Sequence, residues 1–276
     1  MPELPEVETV CRGMAAALEG HRLTRVEVRR PDLRFPLPPD LGERMGGRRV
    51  VRVWRRAKYF QIGLDDNQVM LGHLGMSGRI VISPAAPNDL GPHDHILFHV
   101  DTGAVLRFTD PRRFGMVDIT DQTDLASHKW LAGLGPEPLE AGFGPDTLLA
   151  AAAGRRTSLK ALLLDQQVVA GLGNIYVCEA LYHARLDPRR EAGSLTPAEA
   201  KRLAKAIRSV LTRAIAAGGS SLRDHVQTNG ELGYFQHEWA VYGKEGEACP
   251  ACTCGQGISR IVQSNRSTFY CAHRQR

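Results

Sequence analysis

The first eight residues, Met-Pro-Glu-Leu-Pro-Glu-Val-Glu, set a potential nucleophile beside carboxylates. If the initiator Met is removed, which a small following residue permits, Pro2 becomes the terminus and its nitrogen a secondary amine. An α-amino group titrates at about 7.7–8.0, so roughly a tenth of it is neutral at pH 7. A lysine, titrating at about 10.4, is neutral less than about one time in a thousand. A secondary amine attacking a sugar carbon gives a positively charged iminium directly, and an iminium is an electron sink. Glu3 and Glu6 follow closely enough to serve as acid or base. The plain alternative is a loose N-terminus running into a helix with Pro in its first turn. Only the rest of the chain decides between them.

Thiols form a second chemical group. Six cysteines are present, and four of them, Cys249, Cys252, Cys254 and Cys271, fall within 23 residues. The start of the chain lacks the basic-then-apolar pattern of a secretion signal, so such clustering points to metal ligation rather than disulfides. Cys11 and Cys178 stand alone in helical patterns and read as packed thiols. Cations form the third group. Net charge is +5, unevenly spread: Arg22 to Lys58 holds twelve Lys or Arg against four Asp or Glu. From Ala248 onward there are four arginines and no acid. Two basic regions suit a polyanion, nucleic acid above all. A hydrophobic share of 43% excludes a disordered or fibrous chain. No apolar run nears the roughly 18 residues of a membrane span. A soluble, cytoplasmic protein of about two domains is expected.

Positioning these groups falls to the elements between them. Val7, Val10, Cys11, Met14 and Leu18 repeat at i, i+3, i+4, i+7 and i+11, one helix face, which Gly20 ends. That helix would anchor Pro2 against a core. From Leu23 to about Ile119 the rhythm becomes short alternating runs: 25–28, 50–54, 59–62, 69–71, 79–82, 96–100 and 105–108 read as strands. Asp-Asp-Asn and Asp-Thr-Gly turns separate several of them. About eight antiparallel strands without interleaved helices predict a sandwich or flattened barrel. Two loops there, His73-Leu-Gly-Met-Ser-Gly78 and Asp110-Pro-Arg-Arg-Phe-Gly115, set apolar or cationic side chains beside glycine. Met76 and Phe114 would either tuck into a core or wedge between stacked bases. Gly and Pro enrich 133–147, a domain boundary. Beyond it, Gly171-Leu-Gly-Asn174 opens a helix and offers backbone N–H groups to an anion, as a helix–turn–helix phosphate clamp would. Thr196-Pro-Ala-Glu199 is a capping box for a further helix that Gly218-Gly219 closes.

Six motifs stand in order: Pro2 to Thr9, Arg55-Arg-Ala-Lys-Tyr59, His73 to Gly78, Asp110 to Gly115, Gly173-Asn-Ile-Tyr176 and the C-terminal cysteine cluster. Along essentially the whole chain they resemble bacterial formamidopyrimidine-DNA glycosylase, the bifunctional 8-oxoguanine repair enzyme. The resemblance implies an α+β fold: an N-terminal antiparallel β-sandwich with a leading helix (1–134), a helix–two-turn–helix domain with a lesion-capping loop (135–238) and a zinc-finger hairpin (239–276). DNA would lie in the cleft between the halves. Pro2 would attack C1′ of the damaged nucleotide and Glu3 would supply the proton that opens the deoxyribose ring. Lys58 would act at the phosphate during β-elimination, and Arg266 would grip the lesion phosphate for δ-elimination. Met76, Arg112 and Phe114 match residues that fill the gap left by an extruded base, and extrusion costs a few kcal/mol that such wedges offset. His93, Arg112, Arg155 and Asn174 match DNA-contact positions. The loop Gly218–Tyr242 resembles the family's lesion-capping segment. The partner implied is double-stranded DNA carrying oxidised bases, bound by a monomer. Two alternatives compete. An endonuclease VIII-like enzyme for oxidised pyrimidines usually has Gly where this chain has Leu4. A non-catalytic zinc-containing DNA-binding protein would lack Pro2, Glu3 or Lys58, and all three are present.

The finger departs from the family pattern of C-x2-C, sixteen residues, then C-x2-C. Sixteen residues separate Cys254 from Cys271, and Cys249 lies five residues before Cys254. The fourth position, 274, is arginine. One Zn²⁺ is expected on Cys249, Cys254 and Cys271 with His273 completing the tetrahedron, since His273 lies beside the position the family uses. Cys252 is the alternative, and either set is acceptable to zinc.

Overall fold

A computed structural model describes residues 1–220, 228 and 233–276. These group into two compact units, 1–132 with 217–236, and 133–216 with 237–276. Residues just past 216 bond within the first unit: Ser220 N–H donates to Glu6 (2.8 Å) and Ile82 N–H to Thr228 O (2.8 Å). The finger residues belong to the second unit. Most of the segment read as lesion-capping, 221–227 and 229–232, lies outside the described residues.

In the first unit, helix α1 (Leu4–Leu18) buries the five residues of the expected stripe, Val7, Val10, Cys11, Met14 and Leu18, each no more than 4% exposed. At roughly 1.5–3 kcal/mol per large apolar side chain, that face fixes the helix to the core. Two four-stranded antiparallel sheets follow. One runs β1 (Leu23–Val28), β6 (Asp94–Val100), β7 (Val105–Thr109), β5 (Arg79–Ser83). The other runs β2 (Val50–Arg56), β3 (Tyr59–Leu64), β4 (Gln68–His73), β8 (Met116–Asp121). The expected turns close hairpins, with Asn67 at φ 65° and Gly103 at φ 90°. Phe60 of β3 packs edge-on to Phe108 of β7 at 6.3 Å, tying one sheet to the other. It also fills the space over its register partner Gly72, where a Cβ would sit 1.9 Å from the ring. A one-turn helix, α2 (Leu41–Met45), was not legible in the pattern.

The second unit is helical: α3 (Pro145–Ala152), α4 (Leu159–Leu164), α5 (Asn174–Ala184) and α6 (Pro197–Ala216), then a hairpin of β9 (Ser259–Gln263) and β10 (Arg266–Tyr270). The capping box of α6 forms, with Thr196 N–H donating to Glu199 (3.0 Å) and Glu199 N–H to Thr196 Oγ1 (3.4 Å). Ser264 and Asn265, at φ 50° and 57°, make the two-residue turn that brings Arg266 opposite Gln263.

Candidate active site

Pro2 and Glu3 are buried at the head of α1. What holds them is Glu6. One of its carboxylate oxygens accepts from Glu3 N–H (2.9 Å) and the other from Ser220 N–H (2.8 Å). Glu6 is therefore spent on positioning, and Glu3 is the carboxylate next to the Pro2 nitrogen in the chain. Gly219, at φ 80°, lets the chain pass Glu6 closely; a Cβ there would stand 3.2 Å from it.

Lys58 is 6% exposed in the two-residue turn joining β2 to β3, with Ala57 at φ 53°. Its neighbour is His73, paired through Tyr59 across β3 and β4. His73 Nδ1 accepts from Gly75 N–H at 2.8 Å. Burial first, then the positive charges of Lys58 and Arg34, press its pKa down to about 4, so the ring stays neutral.

The two expected loops are joined by one residue whose bracing role sequence reasoning missed, Asp110, which is fully buried. Its carboxylate accepts from Ser77 Oγ (2.5 Å) and Gly115 N–H (2.7 Å), and its carbonyl from His95 Nε2 (2.8 Å). Ser77 Oγ in turn accepts from Arg112 N–H (3.1 Å). Gly75, at φ 62°, seats its backbone against Phe114; a Cβ there would lie 2.3 Å from the Phe114 carbonyl carbon. This frame leaves Phe114 45% exposed, with the Arg112 guanidinium 4.9 Å above its ring. Met76 is half-buried, and His93 is exposed at the mouth of β6. Phe114 thus does not tuck into the core.

In the second unit, Gln166 staples the turns between α4 and α5. Its amide donates to the Leu164 and Leu172 carbonyls and accepts from Gly171 N–H (2.9 Å). That N–H is consequently not offered to an anion. Arg155 is exposed, 3.8 Å from Asp165. Asn174 opens α5 and donates to Ser267 O (2.9 Å). Fully buried Lys160 donates to the same carbonyl (3.0 Å) and to Thr268 Oγ1 (2.6 Å). Burial is the main reason its pKa lies below that of an ordinary lysine. Two side chains so fix the strand that begins with exposed Arg266.

Among the described residues one group of metal-ligating side chains gathers: the sulfurs of Cys249, Cys252 and Cys271 lie within 4.8 Å of one another. Cys254 Sγ joins through Cys271 at 4.0 Å. Of the expected ligands, Cys249 and Cys271 stand in this group and Cys254 beside it; Cys252, the alternative, stands in it, and His273 is exposed outside it. The signal was present, since Cys249-Pro-Ala-Cys252 is itself a C-x2-C pair. Burial works against ionising Cys249, yet the Tyr182 hydroxyl and Ala251 N–H bring its thiol down to about 7. Lone Cys11 is pushed upward, by burial and then by Glu8.

The N-terminal domain of formamidopyrimidine-DNA glycosylase matches residues 1–117, and the H2TH domain of the same enzyme matches residues 134–226. The formamidopyrimidine-DNA glycosylase of Rhodospirillum rubrum is 54% identical over 281 residues, covering 100% of both chains. This chain belongs to the formamidopyrimidine-DNA glycosylase family. Its fold is that of the family's solved structures. The MutM (Fpg) protein of Thermus thermophilus superposes with a TM-score of 0.88 at 39% identity, covering 99% of this chain and 98% of that one. Lactococcus lactis Fpg, solved with DNA containing N7-benzyl-Fapy-dG, superposes with a TM-score of 0.90 at 30% identity and full coverage of both chains. In this formamidopyrimidine-DNA glycosylase relative, Pro2, Glu3, Lys58, Met76, His93, Arg112 and Phe114 fall in the first unit, and Arg155, Asn174, Arg266 and the cysteines in the second. Sequence reasoning named Asp110 only as the first residue of a motif and missed its bracing role, and it missed Lys160, Gln166 and Glu179, which carry no motif of their own. Glu179 accepts from the N–H groups of Ala240, Val241 and Tyr242 at 2.9–3.0 Å.

Proposed function

We propose that this protein removes oxidised purines from duplex DNA as a glycosylase and then cleaves the strand as a lyase. The observation that carries this reading is the buried head of α1, where Glu6 binds the Glu3 N–H and so fixes a prospective amine beside a carboxylate. Once Met1 is removed, the Pro2 nitrogen attacks C1′. The new N–C1′ bond forms as the bond to the base breaks, and the base leaves with its electron pair and a proton. Glu3 protonates the ring oxygen, the deoxyribose opens, and the iminium draws electrons from C2′. Loss of a C2′ proton then expels the 3′-phosphate, and a second elimination expels the 5′-phosphate. Lys58 and Arg266 hold these phosphates and stabilise their departing charge. Phe114, Met76 and Arg112 occupy the space of the extruded nucleotide, and Arg112 faces the orphaned base. His93, Arg155 and Asn174 contact the backbone, which positions the duplex without reading its sequence.

The cysteine cluster fits a structural Zn²⁺: thiolates are its preferred ligands, and the cluster is close enough to share one ion. Bound there, the ion would close the finger around the hairpin that carries Arg266 and take no part in the chemistry. Incision of a duplex with one 8-oxoguanine tests the function. The expected product is a one-nucleotide gap with phosphate at both ends. Release of an oxidised pyrimidine in preference to 8-oxoguanine would favour the endonuclease VIII reading instead.

A further inference from the structure

We propose that Cys254 is the fourth zinc ligand, so that the finger closes on Cys249, Cys252, Cys254 and Cys271. This rests on the zinc reading above and deepens it. The finger has drawn its last ligand from the arm that already holds two, and Arg274 stands where the family keeps a cysteine.

Spacing supports it first. Around tetrahedral zinc with Zn–S of about 2.3 Å, neighbouring sulfurs lie about 3.8 Å apart. Cys252 and Cys271 are separated by 3.6 Å, and Cys254 and Cys271 by 4.0 Å, on either side of that edge length; Cys254 stands outside the group of three within 4.8 Å, so the ion would draw in at least one longer edge. Reach supports it next. Cys249, Cys252 and Cys271 lie within 4.8 Å of one another and Cys254 touches Cys271, whereas the imidazole of His273 is exposed outside the group. Lone Cys11 instead faces the Trp54 carbonyl.

Contacts at Cys271 and Tyr182 explain why neither following residue ligates. His273 and Arg274 turn their backbones to Cys271, leaving the imidazole exposed. The Arg274 guanidinium lies 4.9 Å over the Tyr182 ring, and the Tyr182 hydroxyl is 3.3 Å from the Cys249 sulfur. Four thiolates on a divalent ion carry roughly two net negative charges, so a cation packed beside them is favourable. Gly255 and Gly257, at φ 69° and 71°, turn the chain from Cys254 into β9.

The test uses the full-length, metal-loaded protein and no substrate. Iodoacetamide footprinting with mass mapping should find all four sulfurs protected, and a chelator should expose them together. Cys254 is only half-buried, so its protection reports metal. Its alkylation with the metal still bound would overturn the assignment. In cobalt-substituted protein, Cys254→Ser should lose about a quarter of the sulfur-to-metal charge-transfer intensity, four thiolates becoming three. His273→Ala should leave the spectrum unchanged, and Cys254→His should retain one ion with shifted d–d bands. The opposite pattern, with His273→Ala altered and Cys254→Ser not, assigns the site to His273 and sinks the proposal. A parent protein that binds no metal defeats the zinc reading itself, recognisable because no sulfur is then protected by added Zn²⁺.

Discussion

Arg112 and Arg266 are both exposed cations at the tip of a turn, yet the molecule holds them by different physics. The Arg112 loop hangs on one buried carboxylate. Asp110 gathers Ser77 and Gly115, and Ser77 gathers the Arg112 backbone. The Arg266 hairpin hangs on a buried ammonium and a sulfur cluster: Lys160 and Asn174 hold Ser267 O, and Cys271 directly follows β10. A hydrogen-bonded frame yields to loss of one acceptor, whereas a thiolate frame that holds a metal would yield to a chelator. Each perturbation should therefore disable one region and spare the other.

The largest expected effect separates chemistry from framework. Lys58→Ala should slow incision of an intact lesion duplex by about 10²–10⁴-fold, the usual weight of a positioned acid–base group. Duplex binding and metal content should stay near the parent's. Equal loss of binding and cutting, by titration and gel assay, would make Lys58 an ordinary phosphate contact.

In the sandwich, acid should act through His73. His73 is held at about 4 in the folded protein against 6.5 ordinarily, so the unfolded chain binds the extra proton between those values. Stability is fully present above pH 6.5 and is lost as pH falls towards 4, by up to about 3 kcal/mol. His73→Asn, which keeps an acceptor for Gly75 N–H without a titrating ring, should flatten that slope in denaturant titrations across the range. An unchanged slope would exclude His73 as its source.

Asp110→Asn leaves one oxygen to serve two donors and should cost about 1.5–3 kcal/mol in chemical denaturation. A cost under about 0.5 kcal/mol would show that the loops stand without it. Last, chelation should lower incision about tenfold or more by loosening Arg266, because metal binding and local folding are one equilibrium. The pH dependence of the sandwich should not move.

The sequence made periodic features legible and left single polar anchors hidden. Val7 to Leu18 and the alternating runs follow from burial of one face, so α1 and the strands could be read directly. Asp110 could not be: Asp-Pro is a common turn opening, and nothing local says that its carboxylate ends at 0% exposure. Lys160 likewise reads as a solvated helix residue until β10 is packed against it. At the finger, counting back from Cys271 passed over the C-x2-C pair of Cys249 and Cys252, because the segment before β9 is two residues longer than the family spacing. Side-chain partners from distant parts of the chain fix such residues, and a linear pattern does not carry them.

The most direct measurement is borohydride trapping on a duplex containing 8-oxoguanine, followed by peptide mapping of the adduct. Reduction during turnover should fix the protein to the sugar through the nitrogen of Pro2, on a chain from which Met1 has been removed. An adduct on Lys58 or any other lysine, or base release with Met1 still in place, would contradict it.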